Sequence, residues 1–225
     1  VGLDLRNCDC MELMKEFPDK HFDLAIVDPP YGIGFDREYL SMSTSKTGFG
    51  GKVGNRIKAK GYKQKQWDNS KPDDKYFNEL YRVSKKQIIW GGNYFNLPSS
   101  GGWIVWDKKR PEDFTLSMGE LAWVSWTNSL RIFYYRWSGM LQEKSGDKKE
   151  ERNHPTQKPV DLYKWILKTY ANEGFKILDT HLGSGSIAIA CHDYKFDLVA
   201  SEIDKEYFDS TMKRVSNHLA QTVLF

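Results

Sequence analysis

Residues 175–204 read FKILDTHLGSGSIAIACHDYKFDLVASEID. An apolar run of strand length meets a turn with Gly183 and Gly185, then a small-residue helical stretch to Tyr194, then a second apolar run ending at Glu202. Strand, glycine turn, helix and strand make the β-α-β unit of a parallel sheet, whose ligands sit outside the carboxyl ends of the strands. Glycines in that turn let the backbone approach a ligand closely. An acid closing the next strand, Glu202, is placed to accept two hydrogen bonds from ribose hydroxyls. Ala188 stands where a dinucleotide fingerprint has its third glycine, so a nucleoside cofactor without pyrophosphate fits better than NAD. Taken alone, the segment is also compatible with an ordinary tight turn followed by a surface acid.

The same alternation extends outward. Residues 2–8 and 22–28 read as strands around a helix at 9–17, and a helix at 72–84 leads into a strand at 87–92. Runs at 103–108, 121–126 and 131–137 follow with no helix between them, which predicts an antiparallel ribbon at one sheet edge. Leu162, Trp165, Ile166 and Tyr170 share one face of a helix at 159–171, and a last helix runs from about Lys205 to Leu219. The fold class is α/β, a mostly parallel sheet with helices on both faces, and 225 residues suit a single domain. The longest apolar runs fall far short of the ~20 residues that span a bilayer, so no membrane segment is expected. With no secretory signal at Val1 the expected compartment is cytoplasmic, although a trimmed start stays open. Cys8, Cys10 and Cys191 lack metal or redox spacing and read as small buried thiols. No metal is indicated.

The stretch AIVDPPYGIG (25–34) ends an apolar strand with an acid, two prolines and a tyrosine. Pro29 and Pro30 stiffen the backbone and remove two N–H donors, and Asp28 before them is held extended. Carbonyls freed from ladder bonding and the Asp28 carboxylate become acceptors beside the ring of Tyr31. Acceptors plus an aromatic plane suit an exocyclic amine on a flat heterocycle, and a base stacked on such a ring gains roughly 1–3 kcal/mol. Beyond it, Gly32 to Pro72 reads as one long polar loop, Ser, Thr and Gly rich and then basic. Lys46, Lys52, Arg56, Lys58, Lys60, Lys63 and Lys65 lie there, with no acid between Lys52 and Gln66. A loop of that length is functional or disordered. The net charge of +3 is mild, so this local concentration matters more than the total.

DPPYGI, LDTHLGSGS and HPTQKPVDLYKWIL together resemble the β-class of DNA amino-methyltransferases, which use S-adenosylmethionine and carry the catalytic motif ahead of the cofactor motif. The resemblance covers most of the chain and is weakest at 37–66 and 131–152. It implies a circularly permuted Rossmann-like sheet, in which the strands at 2, 22 and 87 are third to fifth and those at 175 and 197 first and second. One methyltransferase domain is expected over 1–225, with 32–72 as a basic mobile loop and 131–152 as a short target-recognition segment.

Residue by residue, the resemblance makes Asp28, Pro29, Pro30 and Tyr31 the catalytic motif. The Asp28 side chain and Pro29 carbonyl bind the target amine, and Tyr31 stacks on the base. Asp179, His181, Gly183, Ser184 and Gly185 form the cofactor loop and Glu202 holds the ribose. Asp9 lies near the adenine of the cofactor, and Thr156 and Lys158 lie at its methionine end. His181 replaces the usual Phe and Thr180 a frequent Pro, which points to weaker cofactor binding. Aspartate heading the tetrapeptide favours adenine N6 over cytosine N4. The expected partner is DNA, with the basic loop contacting phosphates and the target base flipped from the duplex at a cost of a few kcal/mol. A homodimer would help so short a chain cover a duplex site, and a cognate restriction endonuclease is a further partner. An N4-cytosine or RNA amino-methyltransferase and a catalytically weak nucleic-acid-binding module remain the alternatives.

Overall fold

The computed structural model describes residues 2–34, 68–111, 117–138, 141–146 and 149–222. Ten strands occur among them: β1 (Leu3–Arg6), β2 (Phe22–Val27), β3 (Ser84–Trp90), β4 (Gly102–Asp107), β5 (Gly119–Val124), β6 (Leu130–Tyr134), β7 (Trp137–Ser138), β8 (Leu141–Gln142), β9 (Lys176–Asp179) and β10 (Asp197–Ser201). Five helices join them: α1 (Cys10–Lys15), α2 (Asp74–Val83), α3 (Val160–Tyr170), α4 (Ser186–Tyr194) and α5 (Lys205–Thr222). The main sheet runs β1-β10-β9-β2-β3-β5-β4-β6. Its first five strands are parallel, and β5 is antiparallel to β3 and to β4. Numbered by the permuted scheme those five read 3-2-1-4-5, the doubly wound order.

Apolar strands bury both faces of this sheet. Leu24, Ile26, Ile88, Ile104 and Ile177 pack with Leu162 and Ile166 of α3 and Ile187 to Cys191 of α4 on one side. Ala25, Val27, Ile89 and Leu178 pack with Leu13 and Met14 of α1 and Phe77 and Leu80 of α2 on the other. Short acceptors cap α1, α2 and α5: Asp73, for example, accepts the N–H groups of Lys75 and Tyr76 at 3.1 and 3.2 Å, a cap worth about 1 kcal/mol. Right-handed crossovers leave β9 in one direction and β2 in the other, putting α4 and α2 on opposite faces. A crevice therefore opens at the carboxyl ends of β9 and β2.

The expected antiparallel ribbon is present where β5 pairs with β3 and β4, and only the last strand of the sheet departs from it. β6 lies parallel to β4, because the connection after β5 crosses the start of β4 instead of hairpinning back. That crossing needs Gly102, where a Cβ would overlap the Thr127 carbonyl. Nor is 131–137 one strand. Tyr135 N–H donates to Asp107 O at 2.9 Å and Trp106 Nε1–H donates to the Tyr135 carbonyl at 3.0 Å. The chain then turns out into the separate β7–β8 ribbon. Expectations for residues 35–67, including all seven basic side chains from Lys46 to Lys65, fall outside the described residues. Among the described residues no helix is long and apolar enough to cross a membrane.

Candidate active site

The crevice holds a cavity of about 470 Å³ bounded by the ends of β1, β2, β9 and β10 and by 154–158. At one end are Asp9, Met11, Gly183, Glu202 and Ile203, and at the other Asp28, Lys158 and Tyr163.

The first end is built from the β9 turn and the β10 terminus. Glu202 Oε2 accepts the Gly183 N–H and Oε1 the Asp204 N–H, both at 2.9 Å. These two bonds fix the Glu202 carboxylate in place as an acceptor at the cavity wall. Gly183 has φ +52° and nothing nearer to an added Cβ than His181 O at 3.8 Å, so its backbone is open to the cavity. Gly185 differs: at φ +74° an added Cβ would lie 2.5 Å from Thr211 Cγ2. Its lack of a side chain serves helix packing, not approach to a ligand. Asp9 caps α1 through the Met11 N–H at 2.7 Å while lining the cavity. This set fits a nucleoside: open backbone at Gly183, an oriented carboxylate, and apolar Met11 and Ile203 beside Asp9.

Beneath the turn Asp179 is buried, with Oδ1 taking the His181 N–H at 3.0 Å. Burial pushes its carboxyl up to about 8, against the pull of that N–H. His181 reaches the cavity wall edge-on to Tyr76, at 5.5 Å and 70°, with Nδ1 2.9 Å from Thr180 Oγ1. Burial lowers it to about 4, so the ring is neutral near pH 7. Ser184 is tied down by Arg214, which bonds Ser184 O at 2.8 Å, Ser186 Oγ at 2.9 Å and Glu150 Oε2 at 2.7 Å. Thr156 Oγ1 meets His154 Nδ1 at 3.0 Å, and the His154 ring packs on Tyr207 at 4.3 Å.

At the other end, Tyr31 Oη donates to Asp28 Oδ1 at 2.7 Å and Lys158 Nζ to Asp28 Oδ2 at 2.5 Å. Lys158, only 3% exposed, also contacts Glu120 Oε2 at 3.0 Å, and Lys108 pairs with Glu120 Oε1. Burial alone would raise the Glu120 carboxyl, but Lys108 and Lys158 outweigh it and hold it at about 2. Burial disfavours the charge on Lys158, yet Asp28 and Glu120 raise it above the ordinary lysine value. Asp68, buried, accepts the N–H groups of Tyr31 at 2.8 Å and Gly32 at 2.9 Å through Oδ1. Its carbonyl takes the Gly34 N–H at 3.1 Å.

The structure thus brings Asp9, Asp28, Pro30, Thr156, Lys158, His181, Gly183, Ser184 and Glu202 to one cavity. Asp179 and Gly185 support it from behind. Tyr31 is held against Asp28 with its ring stacked on Tyr94, and Pro29 is buried beside it. Lys158 sits on Asp28, at the opposite end of the cavity from Glu202. Cys191 is buried as expected, but Cys8 and Cys10 are only partly buried and line the cavity. Asp68, Glu120 and Lys108 were not singled out in the sequence. A carboxylate at the head of the apolar run ELAWV was the available signal for Glu120.

The family model for DNA methylases of the N6/N4 type matches residues 89–213, more than half of the chain. The chain belongs to the N6/N4 DNA methylase family. The type II methyltransferase M.HpaI of Haemophilus parainfluenzae is 22% identical, over 93% of this chain and 73% of its own. The solved M1.HpyAVI–SAM complex aligns with a TM-score of 0.54 at 18% identity, over 95% of this chain and 100% of that one. The PvuII DNA methyltransferase, described as cytosine-N4-specific, aligns at 0.56 and 11% identity, over 97% and 91%. At these identities the two structures establish the fold. This DNA methylase takes S-adenosylmethionine as its methyl donor, acts on DNA, and has the α/β sheet read from its sequence.

Proposed function

We propose that this methylase transfers the methyl group to the N6 amine of an adenine flipped out of duplex DNA. The observation that carries the proposal is the Asp28 carboxylate, placed at the cavity by the stiff Pro29-Pro30 turn and oriented by Tyr31. An exocyclic amine is a poor nucleophile because its lone pair is delocalised into the ring. Asp28 and the Pro29 carbonyl accept the amine hydrogens and favour the pyramidal geometry of attack. Tyr31 offers the base a ring face. Glu202, Gly183 and Asp9 hold the nucleoside part of S-adenosylmethionine, with Asp179, His181, Ser184 and Gly185 shaping the loop and Thr156 lining the wall near Lys158. When bound, that cofactor supplies an electrophilic sulfonium methyl. With that donor in place, Asp28 and the Pro29 carbonyl would hold the amine so that its nitrogen bonds the methyl carbon as the carbon–sulfur bond breaks, and the surplus amine proton would pass to solvent.

Aspartate at the head of the tetrapeptide supports adenine over cytosine. The basic side chains from Lys46 to Lys65 are assigned to phosphate contacts and 131–152 to target recognition. Relatives named type II methyltransferases support a cognate restriction endonuclease as partner, and a homodimer would extend the contact along the duplex. The test is transfer of labelled methyl from S-adenosylmethionine to digested genomic DNA by wild type and Asp28→Ala, with the modified nucleoside read by mass. N6-methyladenine that disappears in the variant is the expected result. N4-methylcytosine would move the substrate and keep the mechanism, and label in RNA alone would overturn the proposal.

A further inference from the structure

Both oxygens of Asp28 are engaged: Oδ1 by the Tyr31 hydroxyl and Oδ2 by the Lys158 ammonium. An amine arriving at Oδ2 must therefore share that oxygen with, or displace, a charge-assisted bond from a buried cation, and sharing weakens both bonds. Expelling Lys158 from Asp28 with nowhere to go would strand a buried charge, which is strongly unfavourable. Glu120 removes that obstacle. It lies 3.0 Å from the same Nζ, on a strand of the rigid sheet, and its own position is secured by Lys108.

We propose that Glu120 is a positioning residue for methyl transfer, a second carboxylate onto which the Lys158 ammonium moves when the target amine takes Asp28 Oδ2. The inference rests on the reading of Asp28 as the amine acceptor. Lys158 needs no backbone movement for this, since it already touches both carboxylates. Its own backbone is anchored, with Ser186 Oγ donating to Lys158 O at 2.7 Å. Two ammonium groups and two carboxylates form the chain Lys108–Glu120–Lys158–Asp28, so local charge stays balanced before and after the shift. The charged groups facing Lys158 are Asp28 after β2, Glu120 in β5 and Lys108 after β4, and Asp179 at the end of β9 faces it with a carboxyl that burial keeps protonated near neutral pH. The neutral rings of Tyr31 and Trp90 lie 6.0 and 5.0 Å from Nζ.

The test measures methyl transfer to DNA as a function of pH for wild type, Glu120→Gln, Glu120→Asp, Glu120→Gln/Lys158→Gln and Asp28→Ala, alongside the Kd for S-adenosylmethionine. In Glu120→Gln, kcat is expected to fall about tenfold near neutral pH while cofactor affinity stays within about twofold. Part of that loss returns at alkaline pH, where Lys158, deprived of one carboxylate, sheds its proton and releases Asp28. Glu120→Asp keeps more activity than Glu120→Gln. Adding Lys158→Gln to Glu120→Gln raises kcat, a coupling of opposite sign to independent losses. An unchanged kcat in Glu120→Gln, a loss independent of pH, or a double variant no better than the single one overturns the inference. If Glu120→Gln does not fold, a pH-independent loss in Glu120→Asp does the same. Activity retained by Asp28→Ala would sink the reading of the site itself. An inactive Asp28→Ala beside a normal Glu120→Gln would sink only the role of Glu120.

Discussion

Tyr31 and Tyr94 lie face to face, their ring centroids 5.0 Å apart and their planes 14° from parallel. Tyr94 thus occupies a ring face that a flipped base would take. Such a pair is worth about 0.5–1.5 kcal/mol, and a base must displace it. Tyr94→Ala is expected to tighten binding of DNA carrying a mispaired target base by a factor of about 2–10, measured by fluorescence anisotropy at fixed salt. Weaker binding would mean that Tyr94 walls the base from its other side.

Asp68 fixes the catalytic tetrapeptide from outside it, through the N–H groups of Tyr31 and Gly32. Replacing it by Ala leaves those donors unpaired, at a cost of about 2 kcal/mol. Thermal unfolding should show a lower Tm, and kcat/KM for DNA should drop about tenfold or more. The Kd for S-adenosylmethionine, by calorimetry, should hold, because Glu202 and Gly183 stand at the other end of the cavity. An unaltered kcat/KM would show that the tetrapeptide keeps its shape without the clamp.

His181 presents a neutral imidazole where the resemblance leads one to expect a Phe. Its pKa near 4, set by burial against the opposing pull of Asp9, keeps it uncharged from about pH 5 to 8. His181→Phe retains the edge contact with Tyr76 and offers the cofactor a more apolar wall. S-adenosylmethionine should bind several-fold more tightly, by a ratio that does not change with pH over that window. A ratio that grows steeply towards pH 5 would contradict the burial argument.

Asp179 makes stability fall with rising pH. Its carboxyl titrates near 3.8 in the unfolded chain and at about 8 in the fold, so between those values the native state holds a proton that the unfolded state has released. The resulting stabilisation is complete below about pH 4 and drains away towards pH 8, by at most about 1.4 kcal/mol per pH unit. In Asp179→Asn that slope disappears. Tm of the variant relative to wild type should rise between pH 5 and 8, whereas parallel curves would disprove the assignment.

The basic run from Lys46 to Lys65 predicts a salt effect. Each of these side chains that contacts a phosphate contributes about 0.9 to the slope of log K against log salt. Replacing Lys58, Lys60 and Lys63 by Ala should flatten that slope in DNA-binding titrations and leave the cofactor Kd unchanged. A slope identical to wild type would remove this run from the interface.

The parallel half of the sheet was legible because strands buried on both faces leave continuous apolar runs, as in FDLAIVD and FKILD, and glycines and caps mark their ends. The edge was less so. Whether Leu130–Tyr134 pairs parallel or antiparallel depends on which side of β4 the preceding loop crosses, a choice written in the space at Gly102 and not in any periodicity. Within the site, motif residues such as Asp28 and Glu202 stood out through their place at strand ends. Lys158 was recognised through the HPTQKP segment, but its ion pairs with Asp28 and Glu120 were not, because those partners lie far away in the chain, after β2 and in β5. Contacts between residues so far apart in the chain come from folding itself, and local sequence carries little trace of them. Gly185 looked like Gly183 in the sequence and differs because Thr211 and Val215, in the last helix, fill the space where its Cβ would stand.

The bond from Gly34 N–H to the Asp68 carbonyl fixes two points that are far apart in the chain side by side next to the tetrapeptide. Closing a segment at fixed ends depends only weakly on its length, about 0.6 kcal/mol for each doubling. A change in the number of residues between Gly34 and Asp68 is therefore expected to cost the sheet little, because the two anchored ends, and not the length between them, hold the tetrapeptide in register.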